Sequence, residues 1–423
     1  GVDWMAGGRG NDLYVVDNIL DLIVEKDSQG IDAIQSSVSL QLPANVEDLR
    51  LTGAVSLDAT GNSLDNRLTG NGANSRLAGQ LGNDTYVVSS SSELVVECLN
   101  EGVDRVISSV AYALPSFVEE LELSGELAID AVGNELDNLL LGNGAANQLN
   151  GGIGRDRMQG GDGNDEYLVE NPGDLVTEDG DSGFDTVRSW ISFQLPPNVE
   201  ACLLQGNSDL NATGNDDKNR LAGNSGFNIL SGGLGDDTYQ LDQLTDQLLE
   251  AADGGRDTII SSLDYTLIDH FENLELVEQA ETGAGNAINN KLTGNSKSNV
   301  LAGMAGNDVI NAEAGRDLLS GGDGEDLLFG GSDNDIFTGD SGNDLLDGGS
   351  GDDTADYGAL PSSLTADLST GSVQSDDTGI DYLTGIEHLI SGQADDVLIG
   401  NQQGNRLRGG LGADQLTGGA GND

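Results

Sequence analysis

An all-β solenoid, a thin core wound along the chain, is the fold class the sequence predicts, and three observations predict it. First, a nine-residue unit G-G-x-G-x-D-x-U-x, with U apolar, recurs as GGDGEDLLF from Gly321, GGSGDDTAD from Gly348 and GGDGNDEYL from Gly160. Second, a longer module opens as GNDLYVV, GNDTYVV, GNDEYLV and GDDTYQL, with its aspartates at 12, 84, 165 and 237. The intervals are 72, 81 and 72, all multiples of nine, and the longer one holds one additional unit, GGIGRDRMQ, from Gly151 to Gln159. The next interval, 237 to 308, is 71 and breaks the rule by one residue. Third, 63 glycines, 4% aromatics and 36% hydrophobic residues leave too little bulky side chain for thick globular cores, yet more than a disordered acidic tail carries.

The elements follow in chain order. Residues 1–300 are the long modules. In each, runs such as YVV, ELVVE and DRVISSV are rich in β-branched residues, and Gly, Asn and Ser punctuate them, so they read as short strands and turns. VEDLRL, VEELEL, VEACLL and FENLEL, beginning at 46, 118, 199 and 271, add a further strand to each module. Modules close on asparagine versions of the nonapeptide, with Asn66, Asn138, Asn219 and Asn290 at the sixth position. Asn147, Asn228, Asn299 and Asn405 do the same elsewhere, and Ser75 occupies one sixth position. Asparagine tolerates the same turn and hydrogen-bonds along a ladder without bringing charge, so these coils are expected to need less metal. Residues 301–356 form an uninterrupted nonapeptide roll, 357–394 a strand-rich insertion packed on the solenoid, and 395–423 the resumed roll.

Two nonapeptides, each about six residues of turn and three of strand, make one coil, so residues 18 apart stack. Asp308, Asp326 and Asp344 then line one edge and Asp317, Asp335 and Asp353 the other, with further sixth-position aspartates at Asp12, Asp84, Asp156, Asp165, Asp237, Asp396 and Asp414. The turn glycines, among them Gly322, Gly324, Gly331, Gly349 and Gly351, allow positive φ and close backbone approach, which turns carbonyl oxygens toward the aspartates. With 73 acidic against 17 basic residues and a net charge of −56, self-repulsion opposes compaction unless a cation neutralises it. Stacked carboxylates and carbonyls form an all-oxygen cage suited to Ca²⁺. Mg²⁺ favours a tighter octahedron, and transition metals want His or Cys, whereas the chain has only His270 and His388 and two cysteines. The nine-residue spacing therefore reads as a ladder for multiple calcium ions.

GGDGEDLLF and its neighbours resemble the calcium-binding nonapeptide of RTX (repeats-in-toxin) proteins, and the long modules are similar to those of large RTX-type surface proteins. The resemblance implies a right-handed parallel β-roll or β-helix, calcium held between stacked turns by the sixth-position Asp and backbone carbonyls, and type I secretion followed by folding in external calcium. The Asn and Ser units depart from the pattern and are not assigned full metal sites.

Glu25, Glu97, Glu178 and Glu250 recur 13 residues after the module aspartate, and Asp32, Asp104, Asp185 and Asp257 recur 20 after it. They read as turn residues and exposed ladders, with extra metal sites as the alternative. Tyr14, Tyr86, Tyr167 and Tyr239 occupy the inward U position and read as core rather than as a sugar platform. Cys202 replaces a core leucine and is expected to be buried, and Cys98 to be exposed. Clustered Lys and Arg for nucleic acid, an 18-residue apolar span, and zinc-protease, serine-elbow and phosphate-loop motifs are all missing. DGDSG at Asp179 imitates only the start of an EF-hand loop. No catalysis is expected within this chain.

Both ends cut through a nonapeptide, so a segment of a larger polypeptide, or a unit whose open ends stack on neighbours, is expected. The expected role is an extracellular, calcium-stabilised structural or adhesive protein of a bacterial surface: filament, surface layer or adhesin stalk. Self-association into filaments or layers, and contact with cell-surface polysaccharide, are its expected partnerships. The alternative is the calcium-binding carrier region of a secreted lipase, protease, epimerase or toxin.

Overall fold

The computed structural model describes residues 1–180, 183–338 and 340–423. Asp181 and Ser182, within the EF-hand-like DGDSG, lie outside the described residues. Two compact units, Gly1–Gly206 and Asn207–Asp423, divide the chain. Both are β-solenoids. Among the described residues there is no helix, and the strands are short and pair almost entirely in parallel.

In the first unit, strands alternate between sheets as the chain winds. Leu13–Val16, Ala33–Ser36, Asp48–Leu51, Arg67–Thr69 and Thr85–Val88 stack in one ten-stranded sheet, and the strands between them go elsewhere. The register gives the coil lengths. Leu13 pairs with Ala33, Ala33 with Asp48, Asp48 with Arg67 and Arg67 with Thr85, which are steps of 20, 15, 19 and 18 residues and together close the 72-residue module. The uniform 18-residue coil expected from the nonapeptide therefore does not extend through the modules. The longest coil carries the 13- and 20-residue acidic offsets, and the shortest leads into the VEDLRL strand. The additional unit Gly151–Gln159 is half a coil, and it shifts everything after it to the other face. Thr85–Val88 belongs to the ten-stranded sheet, whereas its counterpart Glu166–Val169 pairs with Gln148–Asn150 and Thr186–Ser189 in a different one.

In the second unit the steps Thr238–Thr258, Thr258–Asn273, Asn273–Lys291 and Lys291–Val309 are 20, 15, 18 and 18. One coil is a residue shorter, which accounts for the 71-residue interval. From Lys291 to Leu345 the 18-residue coil is uniform. Residues 357–394 then contribute Leu364–Asp367, Ser372–Ser375 and Gly379–Thr384, paired antiparallel in turn, with Tyr382 beside Leu345 and Thr365 beside Val397.

The core is built of ladders of inward side chains, two to a strand where the strand is four residues long, as at Tyr86 and Val88. Alternation along each strand turns every second residue inward, and Leu68, Tyr86, Val106, Leu121, Leu140 and Met158 stack in register with no exposed surface. Each leucine so buried contributes roughly 1.5–3 kcal/mol. Each rung lies on those of the coils before and after it, so the turns must stay stacked for the core to exist. The module tyrosines are core residues, and Cys202 is buried while Cys98 is exposed. No helix of the described residues is long and apolar enough to cross a membrane.

Candidate metal centre

Each turn places the sixth-position side chain beneath the strand, with its backbone stacked on the next coil. Asp308, Asp317, Asp326, Asp335, Asp344 and Asp353 are each at most 2% exposed. One carboxylate oxygen of each is committed to the ladder: Asp326 Oδ1 accepts the Asp308 amide at 2.7 Å, Asp335 Oδ1 that of Asp317 at 2.9 Å, Asp344 Oδ1 that of Asp326 at 2.9 Å and Asp353 Oδ1 that of Asp335 at 2.7 Å. Asp84, Asp156, Asp165 and Asp237 accept the amides of Asn66, Asn138, Asn147 and Asn219 in the same way, and Asp414 accepts that of Asp396.

The other oxygen has nothing to accept. Among the thirteen aspartates of the predicted set, Oδ2 is buried without a hydrogen-bond partner in all except Asp344 and Asp414. Oδ2 lies against the first glycine of its own nonapeptide: a Cβ on Gly303, Gly321 or Gly330 would land on Oδ2 of Asp308, Asp326 or Asp335. That glycine is required for space, a role the φ argument did not supply. Gly322, Gly324, Gly331 and Gly349 do have positive φ, but Gly351 does not, and is held to glycine by the Asp333 carbonyl its Cβ would meet.

Burial raises the acids of the run from Asp308 to Asp353. It pushes Asp335 and Asp344 up to about 7 and Asp308, Asp317 and Asp353 up to about 6, with neighbouring carboxylates adding to the rise. A buried oxygen that is charged, unpaired and close to other acids is stable only when protonated or bound to a cation. The residues therefore fit a divalent ion with oxygen preference, held by Oδ2 and turn carbonyls.

The asparagine coils resolve the same position differently. Asn66 Oδ1 accepts the Asn62 amide at 2.7 Å, and its Nδ2 donates to the carbonyls of Val46 and Glu47. Asn290 repeats the arrangement with Asn286, Phe271 and Glu272. Ser75, wholly buried, accepts the Leu57 amide at 3.1 Å and donates to Asn71 Oδ1 at 2.8 Å. These turns close on themselves.

The module acids depart from expectation. Asp32, Asp104, Asp185 and Asp257 are at most 1% exposed, and Glu25 and Glu97 are 8% and 6%, so they are not exposed ladders. Four groups form, Asp12–Glu25–Asp32, Asp84–Glu97–Asp104, Asp165–Glu178–Asp185 and Asp237–Glu250–Asp257, with ligand atoms in each within 4.8 Å of one another. The recurrence of acids at fixed offsets was the signal; without the 20-residue coil it could not be seen that the chain returns them to the module aspartate. The four VEDLRL-type elements also supply ladder acceptors: Glu47, Glu119, Glu200 and Glu272 take the amides of Asp32, Asp104, Asp185 and Asp257. In the insertion, Asp381 and Glu387 do so for Asp344 and Asp353.

Known proteins agree with this geometry. The family model of the RTX calcium-binding nonapeptide repeat matches residues 60–90, 132–167, 213–248, 284–319, 320–355 and 390–423, about half of the chain. An endo-1,3-1,4-beta-glycanase of Rhizobium meliloti, ExsH, is 40% identical over 62 residues, which is 15% of this chain and 13% of that protein. The chain thus spans a small part of that enzyme's length. With the sixth-position aspartates stacked on 18-residue coils and the family's repeat found across both units, the chain belongs to the RTX calcium-binding nonapeptide-repeat family.

Proposed function

We propose that this chain is an extracellular, calcium-stabilised structural or adhesive element of a bacterial cell surface, a filament, surface layer or adhesin stalk, which leaves the cell unfolded by type I secretion and folds on meeting calcium. The observation that carries the reading is the row of buried Oδ2 atoms without partners in the run from Asp308 to Asp353. A chain of net charge −56 has little reason to collapse where calcium is scarce, and each ion that enters a turn removes repulsion while fixing two coils. Extracellular modules bind calcium weakly, with dissociation constants of about 10⁻⁴–10⁻³ M, which suits a switch thrown by external calcium. The ladder residues and turn carbonyls hold the ion, and the asparagine coils carry the fold between sites. No catalytic role is assigned to this chain.

The test is circular dichroism with electron microscopy on the chain as calcium is raised from chelator to about 10 mM, bracketing weak extracellular sites. A coil-to-β transition followed by end-to-end assembly supports the structural role. β-structure indifferent to chelation overturns the calcium mechanism. A transition that leaves monomers favours the second reading, a carrier region of a secreted enzyme, for which the short likeness to the Rhizobium meliloti glycanase is the observation in favour.

A further inference from the structure

The ladder accounts for one acid per turn, but it does not account for the glutamates. Glu97 is 6% exposed, stands next to Asp84 and Asp104, each 1% exposed, and has the Glu101 carboxyl beside it; no donor reaches either of its buried oxygens. Asp84 Oδ2 is likewise unpartnered, because its Oδ1 is taken by the Asn66 amide at 2.6 Å. Asp104 gives Oδ1 to the Asp84 amide at 2.8 Å. No lysine or arginine forms an ion pair with any of the three among the described residues. Space is kept open beside them: a Cβ on Gly79 would fall on Asp84 Oδ2 and on the Tyr86 hydroxyl.

We propose that each long module binds one additional divalent cation, of calcium type, at the site formed by its opening aspartate, the glutamate 13 residues on and the aspartate 20 residues on, with Asp84, Glu97 and Asp104 as the most open example. The proposal rests on the cation-binding reading of the ladder, but adds a site of different composition. A nonapeptide turn offers one carboxylate oxygen per coil and relies on carbonyls. The module site brings three carboxylates together because its coil is two residues longer, 20 rather than 18. Its higher ligand charge predicts tighter binding than the ladder. All donors are oxygens, which selects against transition metals.

A tyrosine sets the resting state of the glutamate. The Tyr14, Tyr167 and Tyr239 hydroxyls donate to Glu25, Glu178 and Glu250, while each also accepts the amide of the first glycine of its turn. Tyr86 accepts the Gly79 amide at 2.7 Å, and Glu97 stands free of it. In three modules the phenol thus holds the glutamate beside its two aspartates, where a cation would compete for the same carboxylate.

Equilibrium dialysis with calcium, and terbium luminescence excited through tyrosine, test this on the whole chain. In the fourfold variant Glu25→Gln, Glu97→Gln, Glu178→Gln and Glu250→Gln, four ions of the tightest class should weaken by at least about tenfold, the loss typical of perturbing a metal's ligand shell. Tyrosine-sensitised emission should fall with them. The ladder variant Asp317→Asn, Asp326→Asn and Asp335→Asn should lose ladder ions and keep the tight class. Should the fourfold variant fail to gain β-structure, Glu97→Gln alone carries the test and should remove one tight ion. Unchanged ion number and affinity in the glutamate variants overturn the proposal while leaving the ladder intact. A wild-type chain that binds no calcium overturns the ladder reading beneath it.

Discussion

The run from Asp308 to Asp353 and the asparagine coils of the modules stack in the same solenoid but differ at the sixth side chain and in the turn that holds it: Met304 and Gly306 before Asp308 are left-handed, whereas Asn286 and Ile288 before Asn290 are not. In Asn290 the amide nitrogen donates to the carbonyls of Phe271 and Glu272 at 3.1 and 3.2 Å, and the oxygen accepts the Asn286 amide at 2.7 Å. In Asp326 one oxygen is used by the ladder and the other by nothing. In the asparagine the oxygen beside the first glycine is satisfied by the Asn286 amide and the NH₂ binds the preceding coil, whereas in the aspartate the oxygen beside the first glycine, Oδ2, is left open to a cation. Metal dependence in this fold is thus a local property, written turn by turn, and not a property of the solenoid as a whole.

The largest effect should come from removing calcium. In chelator near pH 8, hydrogen exchange followed by mass spectrometry should show amides of residues 309–356 losing protection first, because all the sixth-position aspartates of the run except Asp344 are left with a buried acceptor without a partner. The coils around Asn138 and Asn290 should retain protection longer. Equal loss in both regions would break the distinction.

Exchanging the two residue types sharpens it. Asn290→Asp leaves a buried acceptor unsatisfied and removes two donated bonds, so in chelator it should destabilise by about 1–3 kcal/mol. Calcium should return part of that loss. Asp326→Asn should do the reverse, with a smaller cost in chelator and less gain from calcium. Urea midpoints with and without calcium measure both, and a calcium response that does not move with the aspartate would contradict the turn-by-turn account.

Much of this was legible in the sequence because the period itself encodes the coil. The nine-residue spacing from Asp308 to Asp353 fixes an 18-residue register with no further information, and Tyr86 sits inward because Leu68 and Val106 lie in register on either side of it. What was not legible depends on coil length. Glu97 and Asp104 lie 13 and 20 residues from Asp84, neither a multiple of nine, so they fall off the nonapeptide register. Only a coil of 20 residues, followed by one of 15, brings them back to the same edge. The steric role of Gly321 was hidden for a related reason: its Cβ would meet a side chain five residues ahead, a contact that exists only once the turn is formed.

Protons should distinguish the two regions more mildly than calcium. Burial raises Asp308, Asp317 and Asp353 from an ordinary value of 3.8 to about 6 and Asp335 and Asp344 to about 7, so between roughly pH 4 and 7 the metal-free folded state holds protons that the unfolded chain has released. Stability in chelator should therefore be greatest at the acid end of that window and fall as pH rises through it. The asparagine side chains do not titrate and add nothing to this slope. Circular dichroism in chelator should show β-structure near pH 5 that weakens toward pH 8, and stability that rises with pH would contradict the assignment of these acids as buried and unpaired.

The smallest effect tests the backbone in which the two regions differ. Aspartate turns hold even non-glycine residues left-handed at the second position of the nonapeptide, with φ 76° at Gln80, 83° at Met304 and 74° at Glu313, whereas Asn62, Asn134 and Asn286 at that position in the asparagine turns are not left-handed. An L-residue held there loses about 1–2 kcal/mol, and glycine returns part of that to unfolded-chain entropy. Glu313 is exposed, and its side chain accepts only from Asn311, so Glu313→Gly removes strain and little else. In saturating calcium it should raise the urea midpoint slightly, by an amount equivalent to about 0.5–1 kcal/mol, and the same gain should appear in chelator. If the gain at 313 required calcium, turn geometry in the run would be set by the ion. Equal gains would mean that stacking imposes the turn and the ion enters a site already shaped for it.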